Sequence, residues 1–175
     1  SATLYILHAF GPEHVRILSF HEGIFTLRPE WRSVNTQAKV DRVATQAVLS
    51  PDERFLLVDI LFDERPSSMP DGSPKLVVAN APDPDGLVVF PLSGDGSLGA
   101  PSFHDAGGEG PFFIAFLNGN PNVFINGLAV GDGVATGRID PDGSITVGRP
   151  VSIDASEGKP SELCWLAVTP DDRFV

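Results

Sequence analysis

An all-β fold built from repeated hairpins is what this sequence predicts, and three observations carry the prediction. First, a phrase recurs with variation: Ala47-Val48-Leu49-Ser50-Pro51-Asp52-Glu53-Arg54-Phe55 returns as Leu166-Ala167-Val168-Thr169-Pro170-Asp171-Asp172-Arg173-Phe174. A looser copy runs over Phe113–Asn120 and leads into Val123-Phe124-Ile125. Second, Gly94-Asp95-Gly96-Ser97 and Asp140-Pro141-Asp142-Gly143-Ser144 each separate two apolar runs, a strong hairpin signal because glycine supplies the positive φ of a tight turn. Third, 18 glycines and 16 prolines punctuate 175 residues, and no amphipathic stretch is long enough for a helix. Two interleaved hairpin phrases make a four-stranded unit. Their recurrence at roughly 40–50 residues is the period of propeller blades.

The elements follow in order from the turns. Leu4 to Phe10, Val15 to Phe20 and Ile24 to Arg28 read as three strands broken by Gly11-Pro12 and Glu22-Gly23. Thr45 to Leu49 and Phe55 to Ile60 open the next unit. The polar stretch Asp63 to Pro74 interrupts it, and Leu87 to Leu92 and Leu98 to His104 complete it. Leu76 to Ala79 is either an extra strand or part of the long connection. Phe112 to Phe116, Val123 to Asn126, Val134 to Ile139 and Ile145 to Ile153 form the third unit, and Leu163 to Val168 opens a fourth. The predicted units are therefore 1–34, 45–105, 111–154 and an incomplete 163–175. The first lacks an innermost strand and the last holds little else. This is about three blades' worth, whereas closed propellers usually have about 4–8. Either the chain is a piece of a longer propeller, or copies of it associate.

Composition narrows the function. Apolar residues make up 42% of the chain, enough for a core, and no run approaches the roughly 18 apolar residues of a membrane span. A net charge of −11 disfavours nucleic acid, whose phosphates would be repelled over most of the surface. No leader is recognisable at Ser1 and no glycosylation sequon occurs, which leaves the compartment open. Cys164 has no internal disulfide partner and lies in the apolar run Leu163–Val168, so it is expected to be a packed side chain rather than a nucleophile. His8, His14 and His21 match no metal-ligand spacing. Asp140–Ser144 begins like a calcium loop but lacks the later acidic ligand. Gly107-Gly108-Glu109-Gly110 precedes a strand rather than a helix, so it lacks the dipole end of a phosphate cradle. No metal or cofactor is called for.

Three segments resemble those of the lactonase-type seven-bladed propellers: Gln46–Val58, Gly110–Phe116 and, most specifically, Cys164–Phe174. That family includes bacterial 6-phosphogluconolactonase and fungal 3-carboxymuconate cyclase. The resemblance covers Thr45 to the end, with two departures: Glu53 and Asp172 stand where a turn glycine is common, and Phe113 stands where glycine often is. It implies a channel-mouth site formed by the loops entering each innermost strand and those joining second to third strands. A small lactone or carboxylate would be the ligand, and general acid–base chemistry would open or close its ring, with a cation for a carboxylate or phosphate. The positional candidates are Glu162, Glu109 and His104 as catalytic groups, and Arg138, Gln46 and Arg65 as substrate-binding groups. Each has a plainer reading as an edge, turn or ion-paired residue. A non-catalytic binding propeller and an assembly-dependent protein, completed by the remainder of the propeller or a second copy, stand beside the enzyme reading.

Overall fold

The computed structural model describes residues 2–153 and 162–175, and among these there is no helix. Residues 1 and 154, which the first and third predicted units include, lie outside the described residues. Strands β1 (Ala2–Leu7), β2 (Val15–His21) and β3 (Ile24–Arg32) form an antiparallel sheet in that order. A second sheet takes β4 (Val43–Leu49) and β5 (Phe55–Phe62). The long connection that follows carries a small hairpin of β6 (Ser67–Ser68) and β7 (Pro74–Lys75), before β8 (Leu87–Pro91) and β9 (Ser102–His104) complete the order β4-β5-β8-β9. The third sheet is β10 (Pro111–Phe116), β11 (Val123–Leu128), β12 (Gly133–Ile139) and β13 (Ile145–Val147), with β14 (Val151–Ser152) also on β12.

The repeated phrase is a repeated turn. Ser50 N–H donates to the Phe55 carbonyl and Glu53 N–H to the Ser50 carbonyl, while Ser50 Oγ accepts from Arg54 and Phe55 N–H. Thr169 repeats three of these four bonds, with Phe174 and Asp172, while Arg173 N–H turns to Asp171 Oδ1. The residues replacing the expected glycine take its conformation, with φ of 56° at both Glu53 and Asp172. Such a left-handed residue costs about 1–2 kcal/mol, which the shared hydrogen bonds offset. Gly96 and Gly143 supply positive φ in the two Asp-Gly turns, where Asp95 and Asp142 accept from Ser97 and Ser144. The acid of the calcium-like phrase is thus engaged within its own turn.

Several predicted strands differ, and the open reading of Leu76 to Ala79 is decided. Leu98 contributes only an isolated bridge to Leu92, and the outer strand proper starts at Ser102. Ile145 to Ile153 is split into β13 and β14, both on the same edge of β12, because Pro150 in the gap has no N–H for the ladder. Leu76 to Ala79 is connection, tied to the end of β5 by a Phe62–Val78 bridge. Leu163 to Val168, expected to open a fourth unit, carries no strand pairing among the described residues. It nevertheless packs on the third sheet, where a Cβ at Gly127 would meet the Leu163 and Leu166 side chains and where Trp165 meets Phe112 edge-on at 6.2 Å.

The strand β5 explains the core. Phe55 to Ile60 is buried throughout, so its apolar run is continuous rather than alternating. Leu56, Val58 and Ile60 face the first sheet's Val15 and Ile17, whereas Phe55 and Leu57 face Ile114, Phe124 and Ile139 of the third. Each such side chain contributes about 1.5–3 kcal/mol on burial. Asp59, on the face of Phe55 and Leu57, is the polar exception.

Candidate functional site

The connections entering β4 and β10 and those joining β5 to β8 and β11 to β12 gather at one end of the sheets. Backbone bonds tie them in sequence: Ala79 N–H donates to the Leu61 carbonyl, Gly110 N–H to Ala79, Ala129 N–H to Gly110 and Gly131 N–H to Glu109. Glu162 N–H then donates to Asp132 Oδ1. The buried His14 ring joins from the first sheet, its Nε2 3.0 Å from the Arg42 carbonyl.

A charged cluster lies beneath these loops. Arg42, fully buried just before β4, donates from Nε to Asp63 Oδ1 at 2.9 Å and from one terminal nitrogen to Asp85 Oδ1 at 2.9 Å. Its guanidinium also lies over the Phe103 ring at 5.8 Å. Lys39 Nζ sits among Asp63 at 2.9 Å, Asp85 at 2.8 Å and Asp83 at 3.5 Å. Burial alone would lower the Lys39 pKa, but hydrogen bonds to Asp85 and Asp63 outweigh it and the ammonium is held above its ordinary value. Lys39 is thus held as a cation among three carboxylates. Above it opens a cavity of about 420 Å³ whose lining includes Lys39, Asp41, Asp63, Arg65, Pro82 and Asp83. Arg65 pairs with Asp41 at 3.3 Å and stacks on Phe10 at 4.4 Å. A larger cavity, about 600 Å³, opens at the opposite end between the first two sheets. There Arg28 donates to Ser19, Thr3 and the Asp95 carbonyl. The smaller cavity is the better candidate, because it lies among the loop-end charges.

The predicted site residues do not form one group. Arg65 lines the cavity. Glu109 and Glu162 are exposed on either side of the β11–β12 connection: the Glu109 carbonyl accepts from Gly131 N–H, and Glu162 N–H donates to the Asp132 side chain. His104 is half-buried on the outer strand β9, with Nε2 2.8 Å from Ser102 Oγ, and burial pushes its pKa down. Arg138 is exposed on β12 and bound by Asp140. The Gln46 side chain bridges inner strands, accepting from Ile114 N–H and donating to the Ile114 carbonyl at 3.2 Å. Cys164, expected in a packed core, is half-buried with Sγ 3.2 Å from the Glu162 carbonyl. Sequence reading missed Lys39, Arg42, Asp63, Asp83 and Asp85. The signal was a set of charged residues abutting the apolar strand runs.

This geometry defines an all-β, propeller-type protein with a charged loop end. The chain is similar in structure to a Lactobacillus plantarum protein, with a TM-score of 0.63 at 16% identity over 97% of this chain and 45% of that one. It is also similar to a Bacteroides uniformis protein provisionally named 6-phosphogluconolactonase, with a TM-score of 0.58 at 12% identity over 87% of this chain and 38% of that one. A third likeness is to the periplasmic gluconolactonase of Pseudomonas aeruginosa, with a TM-score of 0.56 at 18% identity over 81% and 34%. The chain therefore shares the fold of these structures and spans less than half the length of each. No family model and no curated protein matches the chain.

Proposed function

We propose that this chain is part of a lactone-processing propeller enzyme that acts at the loop end of its sheets, on a small lactone or carboxylate. The observation that carries the reading is the shared fold with a gluconolactonase, combined with a cavity and two exposed glutamates at the end where the connections gather. In ring opening, a general base takes a proton from water as its oxygen attacks the lactone carbonyl carbon. The ring C–O bond then breaks, and the departing oxygen takes a proton from a general acid. Glu109 and Glu162 are the groups proposed for these two transfers, and Arg65 for holding an anionic substituent. His104 and Arg138, engaged on outer strands, carry less of the proposal. About three blades come from this chain in this reading, and further polypeptide or a second copy completes the channel.

A panel of gluconolactone, phosphogluconolactone and muconolactone tests the reading with the intact protein. Ring opening above the buffer rate is expected, falling about 10²–10⁴-fold in Glu162→Gln if that carboxyl transfers a proton. Turnover unchanged by Glu162→Gln and Glu109→Gln would remove the assignment, and no turnover on any substrate would remove the enzyme. One observation favours a second reading, a non-catalytic binding propeller: Lys39, Arg42 and Arg65 are each already paired with carboxylates. Ligand-dependent thermal stabilisation without turnover is its expected result.

A further inference from the structure

Asp59 and Asn126 are both fully buried between the second and third sheets. Asn126 Nδ2 donates to Asp59 Oδ1 at 3.2 Å and to the Ala106 carbonyl at 3.3 Å. That leaves one oxygen on each side chain, Asp59 Oδ2 and Asn126 Oδ1, buried and without a partner. Two orphaned acceptors on a bonded pair are costly, at about 1–3 kcal/mol each, and a single proton resolves both. We infer that Asp59 is held as the neutral acid and that its proton lies between Asp59 Oδ2 and Asn126 Oδ1, closing a cyclic acid–amide pair that joins the second sheet to the third.

Among the described residues, those packed around the pair supply no charge that would favour the ionised form. Across the ladder from Asp59 stand Gln46 on β4, whose amide is taken by Ile114, and Leu87 on β8. The strand β11 carries no ionisable residue, and neither does β10. The nearby loop contributes Ala106, while Asp105 beside it accepts from Asn80 and Gly107. His104 on β9 is bonded to Ser102, and Arg138 on β12 to Asp140. In agreement, burial pushes the Asp59 carboxyl well above the usual carboxylate range, and the Asn126 hydrogen bond opposes this only in part. The joint is consequently labile to base. The folded state keeps a proton that the unfolded chain releases, so stability is full below the ordinary carboxylate pKa and falls as pH rises toward the raised one.

This inference is independent of the lactone reading. Infrared spectroscopy of protein labelled with carboxyl-¹³C aspartate tests it at pH 7, where exposed carboxylates are ionised. A protonated-carboxyl band is expected in the native protein and lost in Asp59→Asn. Thermal melts from pH 4 to 8 give the second readout. The native protein loses stability relative to Asp59→Asn by up to about tenfold in folding constant per pH unit, because an amide at this position reproduces both hydrogen bonds without titrating. If Asp59→Asn does not fold, Asn126→Ala replaces it: the band is retained but shifts to higher frequency when its acceptor is lost. Absence of the band from the native protein, or a stability difference that does not change with pH, overturns the inference.

Discussion

Replacing Arg42 by methionine keeps much of the side chain's length and apolar stem while removing the charge that the second sheet is built around. The lost interactions are four hydrogen bonds donated by the charged guanidinium, to the carboxylates of Asp63 and Asp85 and to the carbonyls of Val34 and Asp85. At about 1.5–3 kcal/mol for each hydrogen bond that involves a charged group, the gross loss is roughly 6–12 kcal/mol. Relief of guanidinium desolvation offsets part of it, and breaking a buried pair typically nets about 3–5 kcal/mol. The lower end applies here, because Lys39 Nζ stays within 2.9 Å of both carboxylates. At about 2–4 °C per kcal/mol for a chain of this size, the midpoint should fall by roughly 6–12 °C. Urea unfolding followed by tryptophan fluorescence measures the change, with Arg138→Ala as the exposed control, expected within about 1 kcal/mol of the parent. If the two variants differ by less than about 0.5 kcal/mol, burial of Arg42 is not what makes its ion pairs matter.

Three further outcomes are expected. Gln46→Leu strands the Ile114 N–H and carbonyl between inner strands and should cost about 1–3 kcal/mol in urea unfolding; an intact midpoint with a raised KM on a turned-over lactone would instead restore Gln46 as a substrate contact. Gly137→Ala places a Cβ inside the Phe124 ring contact and should destabilise by about 1–3 kcal/mol, whereas Gly94→Ala, with open space around it, should be close to neutral by thermal melt. Burial lowers the His14 pKa, so the fold holds the neutral ring. Its contribution is full above the ordinary histidine value of about 6.5 and is lost as pH falls through the lowered one, so melts between pH 7 and pH 5 should show a steeper loss in the native protein than in His14→Gln.

Much of the candidate site was hidden in the sequence for a definite reason. Arg65 was legible because it stands in the long insertion between β5 and β8, and that insertion forms a cavity wall. Glu109 and Glu162 were legible as loop residues, but their shared attachment to the β11–β12 connection is a tertiary fact. The same holds for Arg42: its partners Asp63 and Asp85 lie 21 and 43 residues away and meet it only when β5 and β8 align beside β4.

The sequence by itself determined the all-β class and the hairpin turns. These are local consequences of short apolar runs and of turn chemistry, and even Glu53 and Asp172 take the positive φ that their place in the repeated phrase requires. Only the tertiary structure decided that Lys39 is locked among three carboxylates and that Asp59 meets Asn126. Each depends on which segments come together across long loops, and the charge or proton held there is set by burial and by the partner, neither of which a residue's own neighbours in sequence specify.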